Sequence, residues 1–113
     1  MNIDQYDFGK ITISGKIYSS DAIIYNDKVN SPWRRKEGHN LCLEDLVEVL
    51  EAKPDILIIG TGAYGIMSVA SEVKEALEAK RISLVIARTA EACKEFNRLK
   101  DSGNVIAALH LTC

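Results

Sequence analysis

The amino-acid sequence predicts an α/β domain with a largely parallel sheet and an N-terminal β-meander. Over residues 1–40, apolar and polar residues alternate with the period of two that is typical of strands with one face in water. Over residues 41–113, helical spacing alternates with short continuous apolar runs, which gives an αβαβαβ order. Such an order indicates parallel strands joined by right-handed crossovers. We expect the meander either to pack against this sheet or to extend it.

Two strand-forming segments make up the predicted meander. In the first, Ile11, Ile13 and Ile17 are expected to face inward while polar neighbours face water. In the second, the apolar run at 22–25 is followed by a polar turn at 26–28 and a further extended stretch.

Three helices are predicted in the second part of the chain. Four apolar residues at helical spacing define the first, which Pro54 ends. These four residues, all expected to be buried, are Leu43, Leu46, Val47 and Leu50. The second helix covers about residues 69–80. Thr89 is a suitable N-cap for the third, and Gly103 is placed to terminate it.

Continuous apolar runs separate these helices at residues 56–59, 84–87 and 105–111. Runs of this kind are typical of strands covered on both faces. We therefore expect the first two to be buried strands and the third to complete the sheet.

The chain of 113 residues is long enough for one core, so residues 1–113 are predicted to form a single domain. A net charge of -2 gives no general attraction to nucleic acid or to anionic membranes. No secretory leader or membrane-spanning run is recognisable. The three cysteines (Cys42, Cys93 and Cys113) form no disulfide framework. We expect a cytoplasmic protein with neither a nucleic-acid nor a membrane partner.

The most distinctive local feature is the segment 60–65, Gly-Thr-Gly-Ala-Tyr-Gly, which has the spacing of a dinucleotide-binding turn. Three features count against that ligand. Gly65 precedes the next helix, the following strand ends at Arg88 where an acid would be needed, and too little chain remains for a second nucleotide-binding half. We predict no cofactor.

Two alternatives stay open for this segment. It is either a sharp turn or part of a pocket for a small anionic ligand, since open α/β sheets bind ligands at the carboxyl ends of their strands. The residues that would line such a pocket are Gly60, Thr61, Gly62, Tyr64, Arg88 and Thr89.

The segment 32–39 contains the only tryptophan, three basic residues and a turn glycine. Tryptophan and arginine are enriched where the binding energy of protein interfaces is concentrated. Trp33, Arg34, Arg35 and His39 are therefore predicted to contact another protein. The alternative is a solvated loop whose tryptophan packs against the meander.

No set of residues completes a metal or catalytic site. Cys93 has the helical spacing of a core residue, with a nucleophile as the less favoured alternative. Cys42 lies three residues after His39, but no second ligand pair exists. His110 is expected to be packed or hydrogen-bonded within the last strand. We predict neither metal ligands nor catalytic residues.

A set of these residues recurs, in this order, in a known family. The residues are Trp33-Arg34, Gly38-His39, Ile59-Gly60-Thr61-Gly62, Thr89, Ala92, Phe96-Asn97 and Leu99. They resemble the pattern of small α/β proteins that include mitochondrial complex I assembly factor three and the adipogenesis-associated cytosolic protein. The resemblance spans nearly the whole chain. It implies a three-layer domain with a mixed, mainly parallel central sheet flanked by a β-ribbon, and no established catalytic activity.

Members of that family look like binding or assembly modules. We therefore expect a non-catalytic module that contacts another protein through residues 33–39 and the rim of the turn at 60–62. The complex I role is not carried over, because the chain shows no arginine-rich mitochondrial leader. The alternative is a small-molecule or anion-binding protein, or an enzyme, that uses the turn at 60–65. Arg88 would then neutralise the ligand.

Overall fold

Ten strands and three α-helices follow one another in a computed structural model that describes residues 1–113. The strands are β1 Ile3–Asp7, β2 Lys10–Ile13, β3 Lys16–Tyr18, β4 Ala22–Ile24, β5 Val29–Asn30, β6 Asn40–Leu41, β7 Ile56–Thr61, β8 Ser68–Val69, β9 Ser83–Ala87 and β10 Val105–His110. The helices are α1 Val47–Glu51, which continues a 3-10 turn at Leu43–Leu46, α2 Ser71–Ala79 and α3 Thr89–Leu99. None of these helices has the length and apolar character of a membrane span.

The central sheet has five strands in the order β5-β4-β10-β7-β9. β10, β7 and β9 are parallel, and β4 pairs antiparallel with β10. The mixed, mainly parallel sheet is thus confirmed. Because parallel strands share a direction, the carboxyl ends of β7, β9 and β10 lie at one edge of the sheet.

Each face of the central sheet carries its own apolar core. Along β10, Ile106 and Ala108 belong to one core, whereas Val105, Ala107 and Leu109 belong to the other. Residues of α1 and α2 complete the first core, and residues of α3, β1 and β2 complete the second. Full burial of one large aliphatic side chain contributes about 2 kcal/mol. Because α1 and α2 cover one face of the central sheet and α3, β1 and β2 cover the other, the three-layer arrangement is confirmed.

The N-terminal strands divide between two sheets. β1, β2 and β3 form a separate antiparallel sheet, while β4 and β5 extend the central one. The two arrangements expected for the meander, packing against the sheet and extending it, therefore both occur.

Ile17 is 58% exposed, although the alternating pattern predicted that it faces inward with Ile13. Residues 14–15, both with positive φ (47° and 84°), form the tight turn between β2 and β3. The resulting register pairs Ile17 with Thr12. The prediction was wrong because it continued the alternation through the turn, whereas residues directly opposite each other share a face.

β9 is an edge strand, since it pairs with β7 alone. The apolar run at 84–87 predicted a strand covered on both faces, but Ile86 is exposed and the other three residues are half-buried. A short apolar run does not distinguish a central strand from an edge strand. The crossover connections decide whether a strand lies at the centre or at the edge of the sheet.

The predicted helix boundaries need two corrections. α2 begins at Ser71 because Val69 lies in β8, which pairs in parallel with β6. α3 ends at Leu99, and Gly103, with φ of 138°, lies in the turn that leads to β10. The first difference arises because the pairing of β8 with β6 overrides the local pattern.

The first helix buries a different set of residues from the one predicted. Leu46 and Val49 are fully buried, whereas Val47 is 55% exposed. Leu43 and Leu50 are half-buried. Leu43 and Leu50 pack against the border of the core, and Val47 alone among these apolar residues is turned to the surface.

Candidate functional site

The two segments singled out in the sequence meet at the carboxyl edge of the central sheet. The loop at 32–39 leads into β6, and the glycine turn at 60–65 leads into β8, which pairs with β6. The Ser68 amide donates to the His39 carbonyl over 2.9 Å, and the Met67 amide donates to the Thr61 carbonyl over 3.1 Å. One edge of the molecule therefore carries both regions.

Oxygens of the protein itself accept hydrogen bonds from the backbone amides of the glycine turn. Gly62 donates to Thr89 Oγ1 over 2.9 Å, and Ala63 donates to the Thr112 carbonyl over 2.7 Å. Ile66 donates to the Cys113 carbonyl over 3.2 Å. An anion-binding turn needs free amides, and these amides are bonded within the chain.

The close approach of residues 112–113 explains the second glycine of the turn. Gly62 has φ of 104°, and a Cβ atom there would lie 2.6 Å from the carbonyl carbon and oxygen of Cys113. α2 begins only at Ser71, so the turn does not lie at a helix N-terminus. Of the two alternatives for residues 60–65, the geometry therefore fits a sharp turn of the chain.

Thr89 joins three elements. Its Oγ1 accepts from the Gly62 amide and donates to the His110 carbonyl over 2.5 Å, and its own amide donates to the Gly62 carbonyl over 3.1 Å. It was predicted as the N-cap of α3, but Arg88 holds that position. Thr89 is fully buried as the first helical residue because its hydroxyl is bonded to the turn and to β10.

Among the other residues of the predicted anion pocket, Thr61 is buried and its hydroxyl donates to the Ala87 carbonyl over 3.1 Å, whereas Tyr64 and Arg88 are exposed. Tyr64 is 63% exposed, and Arg88 is exposed with its aliphatic part next to Gly65. None of the four surface cavities includes a residue of this predicted pocket. The anion site stays a prediction, and an anion would have to be held by exposed side chains.

A buried polar cluster lies at the same edge, beneath the loop. Asp21 Oδ2 lies 2.8 Å from Arg35 NH1 and 2.7 Å from His110 Nδ1, while Asp21 Oδ1 accepts from the Leu111 amide over 2.7 Å. The Arg35 contact is an ion pair without hydrogen-bond alignment, and Arg35 NH2 donates to the Gly38 carbonyl over 2.9 Å. The cluster therefore ties the start of β4 and the end of β10 to the loop.

Burial by itself raises the pKa of Asp21. Hydrogen bonds from His110 and Leu111, together with the adjacent Arg35 guanidinium, favour the carboxylate more strongly and hold the pKa below its ordinary value of 3.8. Asp21 is thus a permanent anion near neutral pH. Its negative charge compensates the buried Arg35 guanidinium.

His110 has the environment of an oriented imidazole. Asp21 Oδ2, 2.7 Å from Nδ1, can only accept, whereas Arg35 NH2, 3.1 Å from the same nitrogen, can only donate. The shorter Asp21 contact favours the tautomer in which Nδ1 carries the hydrogen. Nε2 is buried and has no hydrogen-bond partner. A carboxylate-oriented imidazole can act as a general base, but His110 lines none of the four surface cavities. His39 is exposed, with its ring edge-on to that of His110 at 5.8 Å between centroids.

The loop side chains expected to anchor a partner divide into two groups. Trp33 is 7% exposed, and its Nε1 donates to the Asp45 carbonyl over 3.2 Å. The Arg35 guanidinium is also buried and lies 4.7 Å from the centre of the Trp33 ring. We predicted that these two side chains contact a partner, but both are buried and stabilise the fold instead. Arg34 and His39 are exposed, and their contact with a partner stays a prediction.

Trp33 shares a core with Ile23 and Tyr25 of the meander, which agrees with the alternative prediction for this residue. It belongs to the core on the α1 and α2 side of the sheet. The Trp33 amide donates to the Asp21 carbonyl over 2.7 Å, which holds the loop in place.

Two residues of this edge were not singled out in the sequence. Asp21 precedes an ordinary apolar run, and its partners lie 14 and 89 residues away, so no local signal marks it. Phe8 lies in the turn between β1 and β2, is 56% exposed, and has its ring centre 6.0 Å from that of Tyr64. An aromatic residue directly before a turn glycine, Gly9, was the available signal.

Cys93, the cysteine that was considered as a nucleophile, is buried on α3. Burial raises the pKa of the Cys93 thiol to about 12, so it is protonated near neutral pH. This opposes its use as a nucleophile. No three His, Cys, Asp or Glu side chains are grouped so that they could hold a metal ion.

The fold and the carboxyl edge of the central sheet define a small mixed α/β domain. The backbone amides of its glycine turn are bonded to other residues of the same chain. The chain belongs to the family described as protein of unknown function (DUF498/DUF598), whose model matches residues 3–110. Among solved structures, it is 30% identical to a conserved hypothetical protein from Pyrococcus horikoshii, with 100% of both chains covered and a TM-score of 0.85. It is 31% identical to MT938, with 99% of this chain and 98% of that chain covered and a TM-score of 0.81.

A Mth938-like domain from Bordetella pertussis has the same fold at 16% identity, with a TM-score of 0.60 over 97% of this chain and 85% of that one. These similarities confirm the family that the residue pattern indicated. The family description assigns no activity.

Proposed function

We propose that this chain is a non-catalytic protein-binding module and that its contact surface is the aromatic rim, defined as Phe8 and Tyr64. The observation that carries the proposal is the exposure of both rings, 56% and 63%, while they contact each other. Aromatic side chains are the residues that most often supply binding energy in protein interfaces.

The aromatic rim has a rigid support. The Gly9 amide, next to Phe8, donates to the Leu111 carbonyl over 2.9 Å. Ala63 and Ile66, on either side of Tyr64, donate to residues 112 and 113. Because both turns are fixed to the end of β10, little backbone entropy is lost when a partner binds.

Neighbouring side chains fit the same role. Ile66, two residues after Tyr64, is half exposed. Arg88 lies against Gly65 and is also exposed, which provides a polar group beside the aromatic ones. An apolar centre with a polar border is the usual anatomy of a protein interface.

The test is affinity purification from the native host under gentle conditions, with the wild-type chain, the double variant Phe8→Ser/Tyr64→Ser and the control Ile17→Ser as baits. Ile17 is the matched control because it is an equally exposed apolar residue of β3. We expect the wild type and the control to retain a stoichiometric partner. The double variant should lose at least about 90% of it, since hot-spot residues contribute on the order of 2 kcal/mol each.

Equal recovery with all three baits would refute the aromatic rim as the contact surface. Recovery of the bare wild-type chain would refute the proposed function. Circular dichroism of each bait checks that the fold is retained.

A further inference from the structure

We propose a second binding surface, an apolar groove between α1 and α2 that takes a cationic amphipathic segment of a partner protein. It shares no residue with the aromatic rim, and the argument for it does not depend on that rim. The groove is open to solvent and has a volume of about 480 Å³. Its apolar wall consists of Leu43, Val47 and Leu50 on one side and Ala76 on the other.

The groove exists because the segment 43–51 has more apolar residues than the core accepts. Leu46 and Val49 are fully buried on the inner face. Leu43 and Leu50 are half-buried against the border of the same core, and Val47, at helical spacing from both, is 55% exposed, so that the three form a partly exposed second stripe along the groove. A helix on the surface of a domain normally has one apolar stripe. The second stripe is what a binding partner would cover.

The small side chain of Ala76 makes the groove concave. It lies on α2, opposite the stripe of the first helix, and is half-buried. Lys80, directly after the end of α2, provides the only cation of the groove lining. The wall opposite the stripe is therefore low, and side chains from a partner can pack between the two helices.

Charge indicates the class of partner. Between Lys36 and Lys53 the sequence has five acidic residues and neither lysine nor arginine. Two of the five, Glu44 and Glu51, lie in the groove lining next to the two ends of the apolar stripe. The Glu44 contact with Lys36 is long, 3.5 Å, between side chains that are both more than two-thirds exposed, so it does little to neutralise the stripe's acidic border.

A partner with lysine or arginine beside its apolar residues complements this border. A second copy of the chain does not, because it would place another acidic stripe against the first and carries a net charge of -2. The stripe from 43 to 50 is roughly 10 Å long, or about two helical turns. The matching segment is a short helix with aliphatic residues at positions i, i+3, i+4 and i+7 and basic residues beside them.

The proposal is tested with a defined probe, a peptide of about 15 residues made of leucine, alanine and lysine with leucine at those helical positions. A scrambled peptide of the same composition has no apolar face. Each is titrated into the isotopically labelled chain, and amide chemical shifts are followed by NMR. We expect shifts concentrated in residues 43–51 and 72–80 with the patterned peptide only.

Two substitutions locate the interaction. Val47→Ser and Glu51→Lys should each raise the dissociation constant by about fivefold or more. Val47→Ser removes exposed apolar surface, and Glu51→Lys reverses a charge at the border of the groove. The control Ile17→Ser and the rim variant Phe8→Ser/Tyr64→Ser should bind the peptide as the wild type does. If the affinity purification refutes the aromatic rim as a contact surface, the expected binding of the peptide to the groove is unaffected.

Several outcomes would overturn the proposal. Equal binding of the scrambled peptide, shifts centred elsewhere, or unchanged affinity of Val47→Ser would each do so. Sedimentation as a dimer that Val47→Ser converts to a monomer would show that a second copy covers the groove. Because Val47 and Glu51 are exposed, we expect both variants to fold, and thermal melting checks this.

Discussion

Gly60 and Gly62 tolerate no side chain for different reasons. At Gly60, inside β7, a Cβ atom would lie 2.8 Å from Leu109 Cδ2 and 2.9 Å from Thr89 Oγ1. At Gly62 the backbone conformation is unfavourable for other residues, and the contact is with the backbone of Cys113. The spacing that resembles a nucleotide-binding fingerprint is therefore explained here by packing of the turn against α3 and residues 112–113.

Gly62→Ala is expected to lower the free energy of unfolding by about 3 kcal/mol, because positive φ and backbone overlap add to each other. Gly15→Ala is the matched control. Gly15 also has positive φ, 84°, but nothing lies within 4 Å of the added Cβ, so only about 1 kcal/mol should be lost. Urea denaturation followed by Trp33 fluorescence measures both. A Gly62→Ala variant no less stable than Gly15→Ala would contradict the packing argument.

At the scale of elements, the loop at 32–39 is held by charge as much as by apolar burial. Arg35 and His110 share the Asp21 carboxylate, and Trp33 fills the core beside them. A buried cation whose partner is removed is costly, on the order of 3 kcal/mol or more. The loop should therefore detach when Asp21 loses its charge.

Asp21→Asn is expected to lower stability at pH 7 by about 3 kcal/mol, because Arg35 is left buried without its anion. The pKa of Asp21 is lower in the folded chain than in the unfolded one. Its contribution is therefore fully present above the ordinary value of 3.8 and is lost as the pH falls through the folded value. The wild type should lose stability faster than Asp21→Asn over that acid range. Chemical denaturation at a series of pH values measures the difference.

Asp27→Asn, a change at an exposed acid, is the control and should follow the wild type at every pH. A constant difference between the wild type and Asp21→Asn down to pH values well below the ordinary pKa would be evidence against the charge-based role of Asp21.

At the scale of the whole molecule, side chains far apart in the sequence join the layers. Asn97 on α3 pairs with the backbone of Ile3 as a neighbouring strand would: Oδ1 accepts from the Ile3 amide over 2.9 Å, and Nδ2 donates to the Ile3 carbonyl over 2.8 Å. β1 is thereby fixed to the second core. The separate antiparallel sheet and the central sheet should consequently unfold as one unit.

Asn97→Ala is expected to lower the free energy of unfolding by about 2 kcal/mol, since two partly buried backbone groups lose their partner. Circular dichroism and Trp33 fluorescence should still report one common urea transition. Asn26→Ala removes a single exposed hydrogen bond, to Asn104, and should change stability by less than about 0.5 kcal/mol. Separate transitions for the two probes in the wild type would show that the meander is an independent unit.

The sequence by itself determined the class of the fold, because hydrophobic periodicity is local. The helical spacing at 43–50 and the continuous run at 56–59 each follow from side chains a few positions apart. The same patterns could not determine that β9 lies at an edge or that Val47 faces outward. Those outcomes depend on which elements are neighbours in space.

For the candidate site, the sequence indicated the glycine turn and the tryptophan loop as separate features. Only the tertiary structure placed both at one edge of the sheet and buried Trp33 and Arg35 there. It also brought together Asp21 with His110 and Phe8 with Tyr64, pairs that lie 89 and 56 positions apart. No sequence period spans such distances. These contacts arise because parallel strands align their carboxyl ends, and strand order decides which residues meet there.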